Sequence, residues 1–234
     1  VYIPNSDEIN TGSPHEEKTI EAWFKVDNVD ITTHRQTIYE QGGRTRGLNI
    51  YIDDGKLYVG GWNEPDSEGG WDPGTWLYTS GTGDEIIESG KWHHVALTLN
   101  SSDANNEQLN GYLDGKQFGM GLGKKLYNHP GDVSIARNRD TKFWPDTDYS
   151  TAKYFGGLID EVRLWNVART ATEIDDYMDK ALTGNEVGLA AYYDFQENNA
   201  EDKEDQSNND GTIKNGAVWT NDGPELSPIG STVS

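Results

Sequence analysis

The sequence predicts an all-β fold, an antiparallel two-sheet β-sandwich with one short helix, and three observations carry that prediction. Apolar residues alternate with period two through most segments, the pattern of strands that bury one face. Asp53-Asp54-Gly55 and Asp114-Gly115 stand between such segments, and Asp-Gly is a strong hairpin signal because the tight turn needs positive φ. Helical spacing occurs once. Thr170 and Glu173 form a capping box, and Ile174, Tyr177, Met178, Ala181 and Leu182 recur at helical intervals until Gly184, which predicts a helix over 170–182.

Val1 to Ile3 reads as the first strand, closed by Pro4. Residues 19–26 form the next, with Ile20, Ala22, Phe24 and Val26 on one face and Trp23 interrupting the polar face. Strands at 37–40, 48–52 and 56–60 follow as a meander. Residues 61–90 break the pattern: Trp62, Trp71 and Trp76 stand among Gly69, Gly70, Gly74, Gly81, Gly83, Pro65 and Pro73, so this part reads as a long surface loop with short strand pieces. Alternation returns at 92–99, 108–113, 116–118 and 132–136. The segment 137–153, which contains Trp144, is irregular and polar. Residues 154–166, Tyr-Phe-Gly-Gly-Leu-Ile-Asp-Glu-Val-Arg-Leu-Trp-Asn, carry apolar groups on both faces and predict a central strand. After the helix, 189–195 is strand-like, 196–210 is an acidic connection, and 211–213 with 217–219 reads as a hairpin about Asn215-Gly216.

A chain of 234 residues, 33% hydrophobic and 11% aromatic, can enclose a core between two sheets. The expectation is a single domain over 1–223 and a linker or tail over 224–234. The strands within 189–220 either complete the sandwich or dock on a neighbouring module. A net charge of −21 argues against binding nucleic acid or anionic membranes, which require basic surfaces. No cysteine is present, so disulfides and thiolate metal sites are excluded. No apolar run approaches the roughly 20 residues of a membrane-spanning helix. The first residue already lies within a strand pattern, so the chain reads as part of a longer protein.

The 154–166 strand and the helix after it resemble the C-terminal region of laminin-G-like, concanavalin-A-like jelly-roll domains and, more distantly, of pentraxins. Other landmarks agree in order: Tyr2-Ile3-Pro4-Asn5-Ser6, Thr19 to Lys25 (Thr-Ile-Glu-Ala-Trp-Phe-Lys), Lys91 to Ala96 (Lys-Trp-His-His-Val-Ala), Gly111 to Gly115 (Gly-Tyr-Leu-Asp-Gly) and Val133 to Asn138 (Val-Ser-Ile-Ala-Arg-Asn). The resemblance covers roughly residues 1–184. It implies a jelly-roll sandwich and a secreted bacterial module at the cell surface or outside the cell, recognising a glycan or a cell-surface protein with the help of calcium. The superfamily also holds glycan hydrolases and inert spacers, and fold does not fix function.

Catalysis by a carboxylate pair needs two acids about 5 Å apart. Asp160 and Glu161 are neighbours on a strand and are expected on opposite faces, and no Glu-x-Asp-x-Glu strand occurs, so no catalytic residue is assigned. The adjacent His93 and His94 cannot ligate one ion together, for the same reason. Calcium takes oxygen ligands. The resemblance places candidate ligands at Asn138 and Asp140, since pentraxins carry calcium-binding acids there, although Asn138 stands where an acid is expected. Asp205 and Asp210 belong to an Asx-rich loop that fails the spacing of an EF-hand. Asp160 within an apolar strand must be paired, hydrogen-bonded or metal-bound. Ligand binding is suggested by Trp62, Trp71, Trp76 and Trp144 in polar glycine-rich segments, with Arg44 and Arg46 as polar partners and Asn138 and Asp140 at the edge. The alternative is that these rings pin their loops to the sandwich. Trp23, Trp92, Trp165 and Trp219 are expected in the core.

Overall fold

The computed structural model describes residues 1–12, 14–64, 70–131, 133–138, 141–144, 153–196, 199–204 and 209–228. In chain order the strands are β1 (Tyr2–Ile3), β2 (Glu17–Val26), β3 (Gln36–Gly42), β4 (Arg46–Asp53), β5 (Lys56–Asn63), β6 (Trp71–Tyr78), β7 (His93–Asn100), β8 (Gln108–Leu113), β9 (Lys116–Leu122), β10 (Val133–Ile135), β11 (Arg137–Asn138), β12 (Lys153–Tyr154) and β13 (Gly157–Trp165). The helix α1 (Ala171–Tyr177) follows, then β14 (Lys180–Ala181), β15 (Leu189–Tyr193) and β16 (Ser227–Pro228). Two six-stranded antiparallel sheets result. The first has the order β1-β10-β3-β4-β5-β6, and the second β15-β13-β2-β7-β8-β9.

The inward faces meet in one core. β2 contributes Ile20, Ala22, Phe24 and Val26, as its alternation requires, opposite Leu48, Ile50 and Ile52 of β4 and Val59 of β5. The hairpin turns at Asp54-Gly55 and Asp114-Gly115 have positive φ, so these dipeptides do what their composition implies. Within the expected loop over 61–90 the strand pieces are longer than the sequence suggests: β5 runs on to Asn63 and β6 occupies Trp71–Tyr78, while 79–90 is irregular apart from one 3-10 turn. Of the glycines that suggest a loop, Gly74 lies against the Trp62 and Trp76 side chains, whereas Gly81 and Gly83 stand in open space at positive φ, as turns require.

The outer face of the second sheet is buried beneath α1 and carries ions. Arg163, fully buried, holds Glu161 at 2.9 Å and stands 3.8 Å from Glu21, while Arg169 holds the other oxygen of Glu21 at 2.9 Å. Tyr192 donates its hydroxyl to Glu161, and His94 Nε2 lies 3.3 Å from Glu21. Burial alone would raise Glu21, but His94, Arg169 and Arg163 beside it overcome that effect and hold its carboxyl at about 2.

The helix keeps its capping box and ends at Tyr177, short of the expected Leu182. Arg163 donates to the carbonyls of Tyr177 and Lys180, and Trp23 donates to that of Met178. Side chains of the sheet thus claim the carbonyls that a further helical turn would use. β13 is central, between β15 and β2. A bulge interrupts its register between Asp160 and Arg163, with Glu161 at φ 52°. The extra residue turns Glu161 to the outer side, where it meets Arg163, so Asp160 and Glu161 share a face and the expectation of opposite faces is corrected.

β15 pairs with β13, and Thr212 bridges Tyr2, so both belong to the sandwich. The turn at Asn215-Gly216 has the expected positive φ at both residues, but no strand flanks it, and Trp219 is half-buried outside the sheets. Ser227–Pro228, in the segment read as a tail, pairs in parallel with β14.

Arg163→Met leaves Glu161 and Glu21 buried without their shared cation and is expected to cost about 3–5 kcal/mol. Lys116→Ala, which removes a solvent-exposed pair with Asp84, is expected to leave stability nearly unchanged. Urea unfolding of both variants at neutral pH measures the contrast.

Candidate functional site

β5 carries two adjacent glycines, and each seats an indole. A Cβ on Gly60 would stand 2.3 Å from Nε1 of Trp76 on the outer side of the first sheet. A Cβ on Gly61 would stand 2.3 Å from Cη2 of Trp71 on the inner side. Trp71 is therefore a core residue, its Nε1 satisfied by Thr75 Oγ1 at 3.0 Å. Trp62, also on the outer face, is fully buried and donates to Gly43 O at 3.0 Å. Three of the four tryptophans expected to meet a ligand are thus seated by packing, two of them completely.

On the outer face the rings form a column. Trp62 stacks on Trp76 with centroids 6.0 Å apart, and Trp76 on Trp144 at 5.9 Å. Trp144 ends the column and is 43% exposed. A second row crosses the same face: Tyr51 stacks on Tyr58 at 4.9 Å, and Tyr58 meets Tyr78 at 5.1 Å. Tyr78 is 48% exposed, with Lys56 Nζ 5.3 Å above its ring.

Residues 141–144 are strapped onto the sheet. Asn49 donates to Lys142 O at 2.6 Å and to Thr141 Oγ1 at 3.2 Å, while Tyr51 OH receives the Trp144 N–H at 3.2 Å. Phe143 is buried edge-on against Tyr51, with the Arg35 guanidinium 5.1 Å from its ring. Lys142 pairs with Glu64, and Arg35 with Asp53 at 3.0 Å. Burial pushes the Tyr51 and Tyr58 hydroxyls above the usual phenol range, so both stay protonated donors at neutral pH.

The remaining candidates are scattered. Arg44 is exposed on the β3–β4 turn, beside the carbonyl that receives Trp62, and Arg46 lies over Tyr127 and bonds Asn128 O. Asn138 is fully buried and already engaged. Asp210 is exposed and accepts the Asp202 N–H. Asp140 and Asp205 lie outside the described residues. Among the described residues no three His, Asp or Glu side chains stand together as a group that could hold a metal ion. His93 and His94 point to opposite sides, toward Phe24 and Glu21 respectively, which removes them as joint ligands.

Tyr58, Tyr78, Lys56 and Lys142 were not singled out in the sequence. The Asp54-Gly55 hairpin placed Tyr51 opposite Tyr58, so that pair was readable. Tyr78 was hidden because β6 resembled a loop.

Aromatic faces flanked by amine, guanidinium and phenol donors can stack on an apolar ring face and bond hydroxyls around it. The acids beside them, Asp53 and Glu64, are bound by cations. The arrangement is an aromatic surface flanked by polar donors on one face of a two-sheet sandwich. The chain belongs to the concanavalin A-like lectin/glucanase superfamily, whose family model matches residues 2–175.

Among solved structures the chain is similar to a candidate carbohydrate-binding protein from Bacteroides ovatus, with a TM-score of 0.63 and 22% identity over 96% of this chain and 59% of that one. It is also similar to the binding domain of Paraclostridial Mosquitocidal Protein 1, with a TM-score of 0.51 and 16% identity over 76% of this chain and 40% of that one. A heptameric pentraxin from Limulus polyphemus gives a TM-score of 0.47 and 16% identity over 70% of each chain. At these identities the likeness is one of fold. This chain thus spans only part of the first two. Among curated proteins none matches.

Asp160 stands apart on the second sheet. Burial, then the charge of Glu161, raises its carboxyl from 3.8 to about 7. The folded protein therefore retains a proton that the unfolded chain releases, and stability falls as pH rises from about 4 to 7, by on the order of 1.4 kcal/mol per pH unit at most. Asp160→Asn is expected to raise the melting temperature at pH 7.5 and to have little effect at pH 3.5. Thermal unfolding across that range measures it.

Proposed function

We propose that this chain is a non-catalytic carbohydrate-binding module whose binding surface is the outer face of the first sheet. The observation that carries this reading is the ring column ending in exposed Trp144, with exposed Tyr78 ending a second row of rings on the same sheet face. Two large aromatic side chains partly open to solvent on one sheet face, with the acids beside them already paired, suit stacking on sugar rings and not hydrolysis. The superfamily and the naming of the Bacteroides ovatus and mosquitocidal relatives support a binding role. The net charge of −21 disfavours polyanionic glycans and nucleic acid. The reading places the module at the cell surface or outside the cell, within a longer chain, with a glycan or glycosylated surface protein as partner. No helix of the described residues is long and apolar enough to cross a membrane.

A second reading, a structural spacer without a sugar ligand, draws on the complete burial of Trp62 and Trp71. A glycan array separates the two, and a chain that binds none of the glycans is a spacer. Trp144→Ala is expected to weaken binding about fivefold or more, worth on the order of 1 kcal/mol, with the melting temperature nearly unchanged. Trp71→Ala, a core truncation, is expected to cost about 3–5 kcal/mol of stability.

Calcium assistance is part of the proposal through the Asx-rich segments around Asn138–Asp140 and Asp205–Asp210. Calcium at about 100 times its Kd should add roughly 2.7 kcal/mol to stability. An unchanged melting temperature on chelation removes calcium from the reading.

A further inference from the structure

At the side of the sandwich, where β10 of one sheet and β13 of the other approach each other, residues 213–223 pass over a cavity of about 470 Å³. That volume lies within the range of roughly 300–1,000 Å³ typical of small-molecule sites. The overlying segment is fixed at one point. Asp222 bonds Lys25 at 2.6 Å through one oxygen and Trp92 Nε1 at 3.1 Å through the other. Both oxygens are thereby used.

Two rings and one acid define the interior chemistry. Phe195, stacked on Tyr193, faces Trp219 with centroids 6.0 Å apart and planes tilted by 45°. Asp160 is only 9% exposed. Its Oδ1 accepts the Glu161 N–H at 2.9 Å, whereas Oδ2 has no hydrogen-bond partner among the described residues. A Cβ on Gly223 would stand 2.9 Å from that Oδ2, so glycine there leaves the carboxyl uncovered. Asp160 lines the cavity, so this oxygen is an acceptor open to an entering hydroxyl. Gln196, Thr220 and Asn221 supply further polar groups along the lining.

We infer that this cavity is a second saccharide site, separate from the aromatic face, in which a neutral sugar residue packs against Trp219 and Phe195 and donates a hydroxyl to Asp160. The inference shares with the proposed function only the class of ligand. Neutrality follows from the lining: Asp222 is neutralised by Lys25 and Glu161 by Arg163, which leaves a single carboxyl oxygen to bond, too little for a cation that needs several oxygens. The raised Asp160 carboxyl agrees, since a group protonated for much of the time near pH 7 can serve a hydroxyl as acceptor or donor. The tilted rings form a wedge open on its polar side, the shape in which a pyranose or furanose can expose its C–H face to aromatic carbon and its hydroxyls to Gln196, Thr220 and Asn221.

The test uses the whole chain with 15N-labelled indoles, titrated with soluble oligomers of xylose, arabinose, glucose and mannose, each alone. The expected result is that at least one oligomer shifts the Trp219 indole resonance, that the shift survives in Trp144→Ala, and that Trp219→Ala weakens binding of that oligomer at least tenfold by calorimetry. Asp160→Asn, a variant expected to fold, should weaken it severalfold. Oligomers that shift only the Trp144 resonance overturn this inference and leave the aromatic-face reading standing. A Trp219 shift produced by tetramethylammonium and by none of the sugars overturns it in favour of a cation site. No shift of either indole defeats both readings.

Discussion

The structure depends on one buried guanidinium. Arg163 lies in the middle of β13 with no exposed surface, and its donors reach Glu161 on its own strand, Glu21 on β2, and the carbonyls at the end of α1 and the start of β14. Burying an arginine is unfavourable unless its donors are matched; here Glu161 and the carbonyls of Tyr177 and Lys180 bond the two terminal nitrogens, while Nε has no hydrogen-bond partner among the described residues. The helix therefore sits where it does because its C-terminal carbonyls complete the coordination of a strand residue. Its own apolar face contributes a single buried side chain, Ile174. Arg169 repeats the device, joining Glu21 to Glu173 O while its guanidinium lies 4.3 Å from the Trp165 ring.

With the second sheet closed in this way by helix and ions, the first sheet is left to face solvent. Among the described residues its outer face is covered over Asn49 and Tyr51 by 141–144, and Trp144 and Tyr78 are the outer rings exposed to solvent. The two faces divide the work: one is sealed by charge and hydrogen bonds, the other remains aromatic and open. Paired acids occur on both sides: Glu21 and Glu161 are buried beneath the helix, whereas Asp53 and Glu64 are held by Arg35 and Lys142 beside the aromatic rings.

Much of the fold was legible because its rules are local. Alternation in β2, β7 and β13, the Asp-Gly turns and the Thr170–Glu173 capping box all act over a few residues, and each reappears in the structure. The site was less legible. Trp62, Trp71 and Trp76 looked like loop residues because glycines surround them, and sequence does not distinguish a glycine that frees a backbone from one that makes room for an indole. Tyr78 was lost with β6. The helix end and the bulge at Glu161 were unreadable for a different reason, since both are fixed by groups distant along the chain, Trp23 and Glu21 among them. Asp160 is legible in the sequence as a carboxyl within an apolar strand, but its surroundings come from residues 195 and 213–223, which no local pattern connects to it.

The double glycine of β5 has a kinetic consequence. Gly60 and Gly61 have the largest conformational freedom of any residue pair to surrender, and they bring no side chain of their own to hold a strand together. Order in this part of β5 is supplied by Trp71 from the interior and Trp76 from outside, both on the next strand. The end of the first sheet can therefore be fixed only after the core has received one indole and the outer column the other. Folding should reach β5–β6 late, after the glycine-poor pairing of β2 with β7 and β13, and this corner should open first when the native protein fluctuates. The aromatic platform thus stands on the part of the sheet that is last to become rigid.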